Sequence, residues 1–219
     1  MKRRSFLGAL ILGCALLVRT APAAAAPDAS EIAERMQQFY DKTRTFKSDF
    51  RQRYLIKHRN KTKDNRGQVI FQKPGKMSWR YTNNGNRVVS DGKIIKVYEE
   101  ENRQMYEQPM DKSQYPAALV FLMGAGSLKQ TFNLQKLDSE KMKCTGCYVL
   151  LAEPKNPTPA YQKVLLYVDA KTYQVRRVLL LDAQGNKNRF DFESPAVNVK
   201  VPPNEFVYVP PPGTQVIRP

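Results

Sequence analysis

Residues 45–57 read Thr45-Phe46-Lys47-Ser48-Asp49-Phe50-Arg51-Gln52-Arg53-Tyr54-Leu55-Ile56-Lys57. Phe46, Ser48, Phe50, Gln52, Tyr54 and Ile56 fall on one face, and Lys47, Asp49, Arg51, Arg53 and Lys57 on the other, with Leu55 the only break. Side chains alternate across an extended backbone, so this pattern predicts a strand with one face in a core and the other in water. One-sided burial is the habit of antiparallel sheets, because parallel sheets are covered on both faces.

Working outward, strand-and-turn units repeat downstream. Gln68–Gln72 runs to Pro74-Gly75, and Met77, Trp79 and Tyr81 alternate up to Asn83-Asn84-Gly85. Arg87–Ser90 and Lys93–Tyr98 flank Asp91-Gly92, a strong two-residue hairpin signal, and Gln104–Glu107 follows. Thr131–Leu137, Tyr148–Ala152, Tyr161–Asp169, Tyr173–Leu181 and Lys187–Phe192 continue the meander. Many short strands with regular turns imply a curved antiparallel sheet or barrel. No linker divides the chain, so a single domain over residues 27–219 is expected. Upstream, Asp28-x-x-Glu31 is a capping-box pattern, and Ile32, Met36, Phe39 and Tyr40 recur at helical spacing through about Lys42.

One segment breaks the pattern. Ser113 to Leu128 carries no charge, in a chain that is 26% charged. Within it Ala117-Ala118-Leu119-Val120-Phe121-Leu122-Met123 is uninterruptedly apolar, entered at Pro116 and left at Gly124-Ala125-Gly126. Pro at the start and Gly past the end suit a short helix, and one apolar all round is covered on every side. An interior core helix is the plain reading; a plug over the open side of the sheet is the functional one.

The N-terminus reads as an export signal over residues 1–26. Lys2, Arg3 and Arg4 precede thirteen uncharged residues, Phe6 to Val18, and small residues Ala21 to Ala26 follow. Thirteen residues are too few for a helix to cross a bilayer. Arg3-Arg4-Ser5-Phe6-Leu7 fits twin-arginine export and equally an ordinary secretory signal with two arginines. Ile11-Leu12-Gly13-Cys14 has the form of a lipoprotein cleavage box, but the apolar run continues through Ala15-Leu16-Leu17-Val18, where such a box normally ends it. Cys144-Thr145-Gly146-Cys147 holds the other two cysteines. In an oxidising compartment they are expected to pair with each other as a staple, since strand-like flanks do not supply the helix N-terminus that a redox CxxC uses.

The chain has 36 Lys+Arg against 20 Asp+Glu, a formal net charge of +16, one His and three Cys. A single imidazole, His58, excludes sites needing two, and three Cys cannot build a cysteine-rich zinc or iron–sulfur centre, so no metal and no cofactor are expected. No G-x-S-x-G elbow and no phosphate-binding glycine loop occur. Catalysis therefore has no sequence support. The basic run Lys57–Arg66 lacks interleaved aromatics for base stacking, so a solvated hairpin tip is expected rather than a nucleic-acid site. Contact with an anionic lipid surface or an acidic partner is its functional variant.

Taken in order, Phe50-Arg51-Gln52, Phe71-Gln72-Lys73-Pro74-Gly75-Lys76-Met77-Ser78-Trp79-Arg80-Tyr81, Val89-Ser90-Asp91-Gly92-Lys93, the Pro-led apolar segment, Leu181-Asp182-Ala183-Gln184-Gly185-Asn186 and the tail Phe206-Val207-Tyr208-Val209-Pro210-Pro211-Pro212-Gly213-Thr214 resemble the LolA-type periplasmic lipoprotein carriers. The resemblance implies an open, incomplete β-barrel of about eleven antiparallel strands, with a helical lid and an N-terminal helix over an apolar cavity. It implies a monomeric, soluble periplasmic shuttle that takes acylated lipoproteins from an inner-membrane ABC-type release complex to an outer-membrane acceptor of LolB type. On this reading Phe50, Met77, Trp79 and Tyr81 contact cargo from the strands, and Leu119, Val120, Phe121, Leu122 and Met123 from the lid. Ordinary core packing competes for each. The family often has Arg before the Pro of the second strand, associated with latching the lid; here Lys73 is the latch candidate, a point charge without the planar fork. The rival readings are an anchored acceptor of the same fold lipidated at Cys14, a dithiol oxidoreductase using Cys144 and Cys147, and a sensor or structural domain that uses the fold to bind a partner without carrying lipid.

Overall fold

The computed structural model describes residues 26–112 and 126–218. The expected signal up to residue 25 with Cys14, and the lid residues Leu119, Val120, Phe121, Leu122 and Met123, lie outside the described residues.

The first element among the described residues is α1 (Ala29–Asp41), opened by Asp28, whose Oδ1 accepts from the Glu31 amide at 2.8 Å. Strands follow as β1 (Thr45–Ile56), β2 (Lys61–Gln72), β3 (Lys76–Tyr81), β4 (Arg87–Asp91), β5 (Ile94–Glu99) and β6 (Gln104–Pro109). After the short helix α2 (Leu128–Thr131) come β7 (Phe132–Leu137), β8 (Cys147–Pro154), β9 (Lys163–Asp169), β10 (Val175–Leu181), β11 (Lys187–Val197) and β12 (Gln215–Ile217). All twelve form one sheet in the order β12-β6-β5-β4-β3-β2-β1-β11-β10-β9-β8-β7. The two halves of the chain meet where β1 pairs with β11, Phe50 standing opposite Phe192 and Gln52 opposite Phe190. The ends β12 and β7 do not pair with each other, so the sheet is open. Strands β1 to β11 are the antiparallel set that the resemblance implied; β12 is a twelfth, pairing parallel with β6. Its three residues are too few to leave an alternating pattern.

The sheet is strongly curled. Strands β1 and β2 separate β3 from β11, a span of roughly 14 Å in a flat sheet. Yet the rings of Trp79 on β3 and Phe190 on β11 have centroids 5.2 Å apart. Gly67 on β2 helps to permit this, because a Cβ there would sit 1.8 Å from the Arg80 carbonyl oxygen and 3.0 Å from the Phe50 ring. Inside the curl lies one core, in which Ile32, Ala33, Met36 and Tyr40 of α1 pack with inward residues of β1 to β5 and β8 to β11. The alternation of β1 is realised: Phe46, Ser48 and Phe50 are buried while Lys47, Asp49 and Arg51 are exposed.

The outer face has two covers. The β7–β8 turn, with Met142 and Cys144, packs on Cys147, Val149, Leu165 and Tyr167. The C-terminal segment crosses β3 and β4, where Glu205 is paired to Arg80 at 2.7 Å with its side chain 8% exposed. Lys76 and Arg87 lie over the Phe206 and Tyr208 rings at 5.9 and 5.5 Å. Burial, reinforced by the Tyr98 phenol, pushes the Tyr208 phenol up to about 12.

Candidate functional site: the inner face and its mouth

The inner face grades from apolar to polar along β1. At the Phe46 end the rings of Phe46, Phe71 and Phe192 meet at 5.6 to 5.9 Å. Phe50 then contacts Trp79 at 4.9 Å and Tyr81 at 5.1 Å, and Trp79 contacts Phe71 at 5.7 Å. Offset and edge-on rings of this kind give a non-directional apolar surface. One turn of the alternation further on, the character changes: Asn65 donates to Gln52 at 3.0 Å and Gln52 to Asn188 at 3.0 Å. Beside this amide row opens a cavity of about 240 Å³. Tyr81, Tyr161, Leu180 and Phe190 line its apolar side, and Gln52, Asn186 and Asn188 its polar side.

Of the four strand residues singled out in sequence, Tyr81 borders this cavity. Phe50, Met77 and Trp79 sit beneath it in the packed core, at most 1% exposed. The Trp79 indole N–H is buried with no hydrogen-bond partner among the described residues, an uncommon state for a native donor. Lys73 reaches the last turn of α1, donating from Nζ to the carbonyls of Tyr40 and Asp41 at 2.5 and 3.4 Å. That turn has no basic residue of its own, so Lys73 supplies the positive charge and donor that a helix C-terminus favours. Cys144 and Cys147 form a disulfide with Cα atoms 5.7 Å apart, and strand β8, not a helix, follows.

The rim holds residues that the linear sequence did not single out as site residues, although Asp182 and Asn186 belong to a motif that carried the resemblance. Asn188 and Tyr161 come from β11 and the approach to β9, and only the β1–β11 pairing brings them near Gln52. Asp182 and Asn186 lie in the β10–β11 turn, where Asn186 donates to Asp182 through both backbone and side chain at 2.8 and 2.7 Å. A larger groove, of about 840 Å³, runs along the outer face of β1, β2 and β11. It is lined by paired charges: Arg51 with Glu193 at 2.8 Å, Arg53 with Asp64 at 2.7 Å, and Arg189 with Asp191 at 2.7 Å. The Arg53 hydrogen bond holds the Asp64 carboxyl below the usual carboxylate range. Such a surface suits water, whereas the inner face suits alkyl chains. Among the described residues no cluster of His, Cys, Asp and Glu could hold a metal ion, and no helix is long and apolar enough to cross a membrane.

The comparisons with known proteins agree with this arrangement. The family model of the outer membrane lipoprotein carrier protein LolA matches residues 41–209. An outer-membrane lipoprotein carrier protein of Bordetella avium is 27% identical over 208 residues, covering 94% of this chain and 96% of its own length. Another, of Nitrosomonas europaea, is 26% identical over 193 residues, covering 88% and 91%. Among solved structures, an uncharacterized conserved protein of Thermus thermophilus aligns with a TM-score of 0.53 at 12% identity, over 87% of this chain and 99% of its own, a likeness of fold. With the family model spanning every element from the end of α1 to the segment across β3 and β4, the chain belongs to the LolA family of outer membrane lipoprotein carrier proteins.

Proposed function

We propose that this protein ferries acylated lipoproteins through the periplasm, from an inner-membrane ABC-type release complex to an outer-membrane acceptor of LolB type. The observation that carries the reading is the inner face itself: a continuous aromatic and aliphatic surface, under α1, that opens at one end into a cavity with a polar rim. An acyl chain of roughly 14 methylenes exposed to water costs about 11 kcal/mol, at about 0.8 kcal/mol per CH₂. Unassisted passage through water is correspondingly slow, and a shielded apolar surface removes the barrier. The role is binding and release, with no bond made or broken.

In the closed form Phe50, Met77 and Trp79 are packed among themselves and their neighbours. Loading on this reading parts that packing, so that acyl chains replace ring-to-ring contacts along the face that Tyr81 leads into. Leu119 to Met123 serve as the lid, residues 1–26 as the export signal, and residues 27–219 as the single carrier domain. Phe121→Asp then blocks cargo acceptance while leaving the protein folded.

Organic extraction and mass spectrometry of protein purified from its native compartment test the reading. Co-purifying diacylated or triacylated lipoprotein is expected, together with release of lipoprotein from spheroplasts by added protein. Protein that carries no acylated species and releases none refutes it. Intact mass separates the free shuttle from the anchored acceptor, because a diacyl increment on a chain beginning at Cys14 requires the latter.

A further inference from the structure

Strands β1 and β2 are twelve residues each and run out into a two-stranded tip. Residues 57–64 are all exposed, and the tip turns at Asn60 in the left-handed conformation, φ 44°. Lys57, Arg59, Lys61 and Lys63 stand within these eight positions, and Lys187 lies opposite Leu55 in the neighbouring strand. None of the five joins an ion pair among the described residues. The nearby carboxylates are occupied elsewhere: Asp64 is held by Arg53, and Asp182 accepts from the amides of Gln184 and Asn186 within its own turn.

The position of this charge matters as much as its sign. The Lys57 amide donates to Asn186 Oδ1 at 2.9 Å, and Asn186 lines the cavity. The Lys57 stem lies against Gly185, where an added Cβ would stand 2.7 Å from Lys57 Cδ. The basic tip is thus joined to the rim of the end at which, among the described residues, the inner face opens into the cavity. The opposite end of the sheet, where the Ala170 amide bonds the Gly146 carbonyl, carries the β7–β8 and β9–β10 turns.

We propose that the β1–β2 tip is an electrostatic docking element that sets the cavity mouth against an anionic phospholipid bilayer. The chemistry of the tip favours a lipid surface over a protein. Residues 57–64 contain no Phe, Tyr, Trp or aliphatic anchor, and three of the four cations are lysines, mobile point charges without a fork to match a fixed acceptor. A fluid layer of phosphate headgroups requires no fixed geometry and attracts each basic residue independently. The carrier reading gives the docking its purpose, presenting the mouth to the bilayer that supplies or receives acyl chains. The binding itself requires no cargo, so the two readings fail separately.

The test is co-sedimentation of the cargo-free protein with phosphatidylcholine vesicles, with and without phosphatidylglycerol, at low and high salt. Binding is expected only with phosphatidylglycerol and only at low salt. Substituting Lys57→Ser, Arg59→Ser, Lys61→Ser and Lys63→Ser together should weaken it about fivefold per residue, on the order of several hundredfold in all. Lys141→Ser with Lys171→Ser, at the opposite end, should leave it nearly unchanged. Circular dichroism of each variant reports folding, and the double variant Lys61→Ser, Lys63→Ser reads the same effect with less perturbation. Wild-type protein that ignores the anionic vesicles, equal binding after the four substitutions, or equal loss in the opposite-end control overturns the proposal. Tighter binding to polyglutamate than to the vesicles overturns the choice of lipid.

Discussion

Tyr40→Phe tests how α1 is fastened over the interior. Tyr40 is fully buried, and its hydroxyl oxygen accepts from the Val175 amide at 3.0 Å. That amide lies where the β9–β10 register slips between Val175 and Arg177, so the helix side chain meets a need that the sheet does not. Burial drives the phenol pKa far above its ordinary value, so the group stays neutral across any working pH. Phe keeps the ring and nearly all the volume, which makes the cavity contribution small. What remains is a buried, unpaired N–H at Val175, a loss of about 1–3 kcal/mol. For a domain of this size each kcal/mol moves Tm by about 2–4 °C, so a drop of roughly 2–12 °C is expected. Thermal and urea unfolding measure it, and hydrogen exchange at the Val175 amide should accelerate more than at Val178, deeper in the same strand. A change under about 0.5 kcal/mol with the Val175 amide still protected would refute the reasoning, because the helix would then be fastened by packing alone.

Gly67→Ala places a methyl 1.8 Å from the Arg80 carbonyl oxygen, so β2 and β3 must separate; a loss of more than about 2 kcal/mol is expected in denaturant titration, and a neutral result would mean the curl does not depend on this close approach. Arg80→Ala strands Glu205, 8% exposed, whereas Glu205→Gln leaves an arginine that is half in water. The first should therefore cost about 2–3 kcal/mol and the second about 1, read by unfolding and by proteolysis of the C-terminal segment; equal losses would contradict the asymmetry. The Asp91 carboxylate accepts from the Ile94 and Lys93 amides at 2.9 and 2.8 Å, and the Ile94 bond leads in holding it below the usual range. Its contribution is present above the unfolded value of about 3.9 and is lost as pH falls through the lower folded value. The stability gap between wild type and Asp91→Asn should accordingly be constant near neutrality and close in acid; a gap that persists in strong acid would show that charge is not its source.

What could be read from sequence is what burial writes into it. The alternation of β1 and the spacing of Ile32, Met36 and Tyr40 record contact with the core, the Asp91-Gly92 hairpin records a turn at a glycine of positive φ, and each appears where expected. The outer half of β2, Lys61 to Arg66, was legible only as a basic run, because it projects from the sheet and has no buried face to impose a period. Pairing with β1, from Ile56 opposite Lys61 to Arg51 opposite Arg66, makes it a strand. The C-terminal segment escaped for a related reason. Its prolines suppress periodicity, and its anchors are single contacts such as Glu205 with Arg80. The mouth of the cavity was half visible: alternation put Gln52 and Tyr54 on the inner face, but Tyr161 and Asn188 reach it only through pairings between residues far apart in the chain. Lys73 was flagged by comparison with the family arginine, and what it grips among the described residues is the end of α1.

A carrier must hold acyl chains less tightly than the site that takes them next, and on the proposed reading the packing of the inner face supplies a means. Desolvating one chain yields about 11 kcal/mol, far more than a shuttle that must unload can retain. In the structure Phe50 already contacts Trp79, Tyr81 and Phe190, and Trp79 contacts Phe71 as well. Edge-on aromatic contacts contribute about 0.5–1.5 kcal/mol each beyond the area they bury. On the proposed carrier reading, cargo must displace those contacts, so its apparent affinity falls by the same free energy that closes the empty protein. The unpaired Trp79 N–H works in the other direction, because an open form that lets it meet a carbonyl or water recovers a bond that the closed form lacks. On that reading, rings that favour closure and one buried donor that favours opening set the retention between them.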